Sequence, residues 1–515
     1  MSGRLPVASV SLGSRPLVVR PAILGLVWCL AVCATGDLKS QCPDGTPPPC
    51  SVRTYHFPAP PTNSVAVLYF DNLSRDTADA YLADGLTEEI IIRLGQVRRL
   101  DVKSRFEVLR FRGRPLLDPA ATGRSLGAAY LVAGSVQRAG DRIRMRVELL
   151  RAPTRTQVWG DVFDRSSGDI LTLESDIAGA VASAITGQLL PGERTRLAKP
   201  LTSDPVAYEQ YLRGMQAAHN FGDEAALRSS VAYFDRAIAR DSSFAAAFAG
   251  KAVAWSMLAD SYVTPREGYA QTRLAASQAL ARDSSQALAW AMLSNVVLAL
   301  DLDVHEGERL ARRGIALDPH SPWARLFLSS ALYAEGMTDS AVSEARRAWQ
   351  DDSSFTILSV WYISTLVGSG RLDTATALIP RIRAILPPAD ADPLEGVVLG
   401  ARGDWRAAAR LLDWRYYGGC YDAGMYVRAR LALGDTAGAR ATVDSMVSAR
   451  TPGYYNPVAL ARAYAALGDV DRGIAWLGRA FEERTAMVLW VRQDAELATL
   501  RADPRYAALD RQLRF

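Results

Sequence analysis

The sequence predicts an α/β domain, a mixed sheet flanked by helices, followed by an all-α superhelix of stacked helical hairpins. Three observations carry this. Between residues 64 and 190, short apolar or alternating runs suited to strands interleave with longer stretches of helical period. From Asp204 onward strand signals vanish and alanine-rich amphipathic helices take over. Within that second part, glycines recur at Gly336, Gly370, Gly403, Gly434 and Gly468, spaced 34, 33, 31 and 34 residues apart. Such a period marks a repeated supersecondary unit.

Composition narrows the function. The 515 residues carry 59 basic and 55 acidic side chains, a formal charge of +4, which is too near balance to imply nucleic acid. Lysine occurs only at Lys39, Lys103, Lys199 and Lys251, and none lies in a GxxxxGK[ST] phosphate loop. Four scattered histidines and five cysteines without a CxxC leave zinc and dithiol chemistry little to stand on. No cofactor, metal or catalytic residue is expected.

The N-terminus reads as a targeting segment. Arg4, Arg15 and Arg20 precede an uncharged run from Pro21 to Gly36, with small residues at Ala34 and Gly36. A positive head, an apolar run and small residues fit a secretory signal over residues 1–36, or an uncleaved signal-anchor. Leu30-Ala31-Val32-Cys33 resembles a lipoprotein box, with Val32 where a small residue is usual. Residues 37–63 form a proline-rich tether in which Cys42 and Cys50 bracket CPDGTPPPC. Downstream of an export signal, a local disulfide between them is expected, two unpaired thiols being the alternative. Export to the periplasm or cell envelope follows, with possible membrane association through the N-terminus.

In the α/β domain, Ser64–Phe70 is almost wholly apolar, as a strand buried on both faces should be. A helix is expected over residues 77–97, with Leu82, Leu86, Ile90 and Leu94 on one face. Leu100–Ser104 reads as a second strand and Asp118–Gly127 as a short helix. Strands follow at 129–138, 142–150 and 157–164, the first two joined by the hairpin signal Ala139-Gly140-Asp141. A closing helix spans residues 169–189, and residues 191–204 read as a linker.

The runs SVAVLYFDNLS, YLADGLTEEI, GRSLGAAYLVAGSV, RIRMRVELL and WGDVFDR resemble, in that order, the amino-terminal domain of TolB-like (FlgO-type) proteins. The resemblance implies a domain that bacterial members place between a cytoplasmic regulatory module and a helical repeat array. No such module is expected here, since about 20 residues precede the apolar run.

Three motifs invite chemistry, and each has a plainer reading. Gly123-Arg124-Ser125-Leu126-Gly127 matches GxSxG, but a nucleophile elbow needs a strand before the serine and a helix after it, the reverse of the order here. Asp84, Glu88 and Glu89 fit the first turn of a helix, where carboxylates meet free amides, better than an acid pair. Arg142, Arg144 and Arg146 alternate along one strand face. They form a possible interaction stripe for an anionic surface or acidic partner, or an ordinary solvated face.

Five residues after each repeated glycine stands a small residue: Ala341, Ala375, Ala408, Ala439 and Gly473. Asp241, Asp283, Asp318 and Asp352 recur before the next unit. These features resemble the tetratricopeptide repeat, a helical hairpin of about 34 residues. The resemblance implies seven or eight units over residues 205–515, closed by a capping helix from Asp503 to Phe515. It also implies a concave surface that receives a protein or peptide. The expected function is an exported, non-enzymatic interaction scaffold. A membrane-anchored sensor or accessory subunit of transmembrane signalling or transcriptional regulation is the alternative. An envelope hydrolase using Ser125 or the Asp84/Glu88 pair is a third.

Overall fold

The computed structural model describes residues 60–76, 79–218, 223–259, 261–415, 422–449 and 454–515. The targeting segment, Cys42, Cys50 and nearly all of the tether lie outside the described residues.

The sheet is mixed, as expected. Its strands are β1 (Ser64–Val67), β2 (Asp71–Asn72), β3 (Asp101–Val102), β4 (Tyr130–Ala139), β5 (Arg142–Arg151) and β6 (Thr156–Ser166). The order is β3-β1-β4-β5-β6, with β2 also pairing β4. β1 runs parallel to β3 and β4, whereas β4, β5 and β6 form an antiparallel meander. All four residues of β1 are buried, as its unbroken apolar run requires. β5 alternates: Ile143, Met145, Val147 and Leu149 are buried, while Arg142, Arg144 and Arg146 are exposed.

Helix α1 (Ala80–Gly95) packs on the sheet, and α2 (Arg105–Leu109) is a short helix that the sequence reading missed. It starts at a capping box in which Ser104 and Glu107 satisfy each other's backbone amides. Helix α3 (Pro119–Leu126) is capped by the Asp118 side chain and ends at left-handed Gly127. The expected closing helix is a 3₁₀ turn at Ser167–Thr172 followed by α4 (Leu173–Thr186).

The segment expected as a linker begins with a further helix, α5 (Pro191–Ala198). Proline at its first position and Glu193 bonding back to the Leu190 amide start it. Arg99 holds Glu193 at 2.7 Å, and the Arg93 guanidinium donates to the Leu197 carbonyl at 2.8 Å. These contacts seat the first half of the segment on the α/β domain.

Among the described residues, eight helical hairpins follow. The first four pair α6 (Pro205–Ala218) with α7 (Glu224–Arg240), α8 (Ala245–Leu258) with α9 (Pro265–Arg282), α10 (Ala287–Val296) with α11 (Val304–Leu317), and α12 (Pro322–Ala334) with α13 (Thr338–Asp351). The next two pair α14 (Thr356–Gly368) with α15 (Leu372–Ile385) and α16 (Pro388–Ala401) with α17 (Trp405–Leu411). The last two pair α18 (Ala423–Ala432) with α19 (Thr436–Ala449) and α20 (Pro457–Ala466) with α21 (Val470–Glu483).

Both repeat markers have a physical role. The five glycines all adopt φ between +73° and +84° in the turn inside a hairpin, a conformation costly to other residues. The small residues after them are buried where the two helices approach. The aspartates join hairpins: Asp241 and Asp283 each accept from the amide of the serine two residues on, at 2.8 and 2.9 Å. The second helices bury a stripe at helical spacing, for example Gly473, Ile474, Leu477, Ala480 and Phe481 on α21. Among the first helices, α12 is buried at every residue from Leu326 to Ala334. Something beyond the neighbouring hairpins therefore covers its inner side.

Candidate functional site

Two intramolecular contacts shape the surfaces left for function. The first joins the α/β domain to the array. Asp84, Glu88 and Glu89 were expected in the first turn of a helix. They lie instead in the second and third turns of α1 and are buried, between 3% and 7% exposed. The cause is tertiary: α6 packs along α1 so closely that a Cβ on Gly85 would stand 2.7 Å from the Leu212 Cδ2.

Each carboxylate has a cation. Asp84 pairs with Arg112, Glu88 with Arg105 at 2.7 Å, and Glu89 with Arg93 at 3.1 Å. The Tyr69 hydroxyl donates to Glu88 at 2.9 Å. Burial is nonetheless the larger influence, raising Asp84 to about 6 and Glu89 to about 8. Glu174 on α4, also buried, is raised to about 7 by the same cause, against Tyr208 and Arg93. Neither its oxygens nor the Tyr208 hydroxyl makes a hydrogen bond of good geometry among the described residues.

The contact extends beyond the first hairpin. Tyr81 donates to Glu209 at 2.7 Å and accepts from Arg138 at 3.0 Å, with Arg213 over its ring. Lys199 pairs with Asp283 at 3.1 Å. Burial pushes the fully buried Asp352, after the fourth hairpin, well above the usual carboxylate range, and the Arg105 guanidinium opposes this. These links tie α1, α2 and α5 to the array.

The second contact is at the C-terminus. Beyond α21 the chain turns at left-handed Arg484 and forms 3₁₀ turns at Ala486–Trp490 and Ala495–Leu497. A short helix, α22 (Ala498–Arg501), follows, and where a capping helix was expected from Asp503 to Phe515 only the five-residue α23 (Tyr506–Asp510) is helical. Trp490 lies 4.5 Å from Trp361 between ring centroids and donates to the Ser330 hydroxyl at 3.2 Å. Gln493 donates to the Ala334 carbonyl at 3.0 Å. Asp494 pairs with Arg462 at 2.6 Å, and Glu496 with Arg428 at 3.6 Å. Arg514 exchanges backbone hydrogen bonds with Leu302 and Val304, both 2.8 Å.

This segment therefore lies against the first helices α12, α14, α18 and α20. The concave face expected to receive a partner is, over that stretch, covered by the chain itself. Met487, Val488, Leu489, Val491 and Leu497 are each at most 6% exposed there. At about 1.5–3 kcal/mol for each such side chain, release would cost about as much as a whole domain's stability.

The other sequence candidates fall at separate places. Ser125 sits in the last turn of α3 ahead of a strand, and its hydroxyl accepts from Arg110 at 2.9 Å. The two glycines of that motif serve packing: a Cβ on Gly123 would meet Ala152 at 2.4 Å, and Gly127 is left-handed. Arg142, Arg144 and Arg146 stand on the exposed face of β5, where Arg142 pairs with Asp164 at 2.6 Å. A group the sequence reading missed is His305, Glu308 and Glu335, whose ligand atoms lie within 4.8 Å of one another. Arg312 already sits on Glu308 at 2.6 Å, and no local spacing could have linked Glu335 to the other two.

Among the described residues, no helix is long and apolar enough to cross a membrane. No protein-family model matches the chain. A Rhizobium meliloti (strain 1021) protein named putative adenylate cyclase 3 is 35% identical over 175 residues, 34% of this chain and 28% of that protein. The chain thus spans little more than a quarter of that relative. Among solved structures, the yeast Tom70 covers 67% of this chain and 82% of its own at 11% identity, with a TM-score of 0.35. The APC/C hetero-tetramer Cut9–Hcn1 covers 66% and 63% at 13% identity, with a TM-score of 0.39. The tetratricopeptide-like character of the array rests on its own eight hairpins and their glycine and aspartate joints.

Proposed function

We propose that this protein is a non-enzymatic interaction scaffold, exported to the bacterial envelope, in which a TolB-like domain and a tetratricopeptide array act as one docked unit. The observation that carries the reading is the array: hairpins stacked in one direction present an extended, rigid surface suited to a protein or peptide. The N-terminal sequence supports export, with the Cys42–Cys50 loop formed after it. Because residues 486–497 cover part of the concave face, the partner contacts surface that this segment and the α/β domain leave open.

Photo-crosslinking in cells tests the proposal, with the reactive side chain placed at exposed Leu274, Met337 or Leu433 on the array or at Val162 on β6. A discrete crosslinked envelope protein is expected from at least one position. Crosslinks from none of them, or turnover of a small molecule by the purified chain, would contradict it.

A second reading, an accessory subunit of transmembrane signalling, is favoured by the likeness to a protein named as a putative cyclase. An uncleaved N-terminal anchor would support it.

A further inference from the structure

The outer edge of the sheet joins two features that the scaffold reading leaves unused. β6 is the last strand of the sheet, and among the described residues nothing pairs with its outer side. Ten of its eleven residues, all but Phe163, are exposed or half-buried. It holds no proline or lysine to discourage a further strand. Its one irregularity, at Leu149/Leu150 of β5, leaves Val158 as the extra residue. Residues 159–165 beyond it stay in regular register.

The backbone there is ready to pair. The Val162 amide donates to its neighbour Asp161 Oδ1 at 2.7 Å, so it points away from β5. By alternation, Gly160 and Asp164 also turn their backbone groups outward. An incoming strand would take over the Val162 amide and free the Asp161 carboxylate to solvent.

The side chains specify the partner's charge. Arg146 lies opposite Val162, Arg144 opposite Asp164 and Glu148 opposite Gly160, so these share the solvent face. Asp164 is already taken by Arg142. Arg144 and Arg146 are exposed and have no acidic partner among the described residues. A strand added to β6 would lie about 10 Å from β5. The Gln157 side-chain amide lies over Gly160, so the arginines reach carboxylates on that strand past the Val162 side chain that stands between.

We propose that β6 is a docking edge for an extended acidic segment of a partner protein, which adds as a strand along residues 159–165 and sets its carboxylates against Arg144 and Arg146. Strand addition supplies affinity through the main chain, and the arginines supply the choice of partner. The proposal rests on the interaction reading above. A crosslinked partner found on the array but not at Val162 would sink the docking edge and leave that reading standing.

The test uses the full chain and a fluorescein-labelled eight-residue peptide alternating Glu and Val, with a Lys/Val twin as control. Saturable binding of the acidic peptide is expected, with none for the twin. Val162→Pro removes the outward amide without taking a hydrogen bond from β5, and proline is tolerated on edge strands. It should weaken binding at least tenfold, as should the double variant R144E/R146E, with the melting temperature unchanged. Should Val162→Pro lower the melting temperature, the double variant at exposed positions decides.

Three results would overturn the proposal. One is no saturable binding by the native chain. Another is full binding by Val162→Pro, which would leave charge alone, as at an anionic lipid surface; phosphatidylglycerol vesicles would then bind as well. The third is a dimer in sedimentation that Val162→Pro dissociates, which would assign the edge to a second copy of this chain.

Discussion

Glu174→Gln isolates the energetics of the contact between the α/β domain and the array. Glu174 is 1% exposed on α4 and faces Arg93 and Glu89 of α1 and Tyr208 of α6, with Asp176 on its own helix. Burial raises its carboxyl from 4.5 to about 7. A proton is therefore held more tightly in the folded chain than in the unfolded one. The resulting penalty is absent below pH 4.5, grows as pH rises to 7 and is constant above that. Each unit is worth about 1.36 kcal/mol, which puts the full penalty at about 3 kcal/mol.

Glutamine keeps the shape and removes the titration. Urea unfolding at pH 5 and pH 8, followed by circular dichroism, reads the effect as a shift in midpoint. At pH 8 the variant should be more stable than the native chain by about 1–3 kcal/mol, the lower figure allowing for imperfect hydrogen bonding of the amide. At pH 5 the two should nearly coincide. An equal difference at both pH values, or a variant less stable at pH 8, would refute the reasoning.

Two further substitutions probe the array. Trp490→Ala removes the ring against Trp361 and the donor to Ser330. It should cost about 2–4 kcal/mol and expose the C-terminal segment to limited proteolysis, whereas unchanged proteolysis would deny that segment its hold on the inner face. At Gly370 φ is +73° and nothing lies within 4 Å of an added Cβ. Gly370→Ala should therefore cost about 1–2 kcal/mol from backbone strain alone, and an unchanged thermal midpoint would show that the turn relaxes freely.

The features legible in the sequence are those set by local rules. The meander β4–β5–β6 falls within two residues of its expected bounds because alternation and the Gly140 turn fix it locally. The repeated glycines and aspartates likewise act inside one turn or one joint. The burial of Asp84, Glu88 and Glu89 was not legible. On α1 alone they look like a solvated face, and the helix that covers them, α6, lies more than a hundred residues on. Helix α5 was hidden by Pro191, Gly192 and a run of charges that carry little helical period. The C-terminal segment has no period at all, so neither its 3₁₀ turns nor its seat on α12 and α14 could be foreseen. The arginine stripe was visible as an alternation, but the free edge beside it belongs to the sheet order.

The intact mass of the native protein from fractionated cells, taken with and without reduction and thiol alkylation, tests the account most directly. An exported scaffold predicts a chain lacking residues 1–36 in an envelope fraction, with Cys42 and Cys50 protected from alkylation until reduced. A full-length chain in the cytoplasmic fraction, alkylated at all five cysteines without reduction, would contradict it.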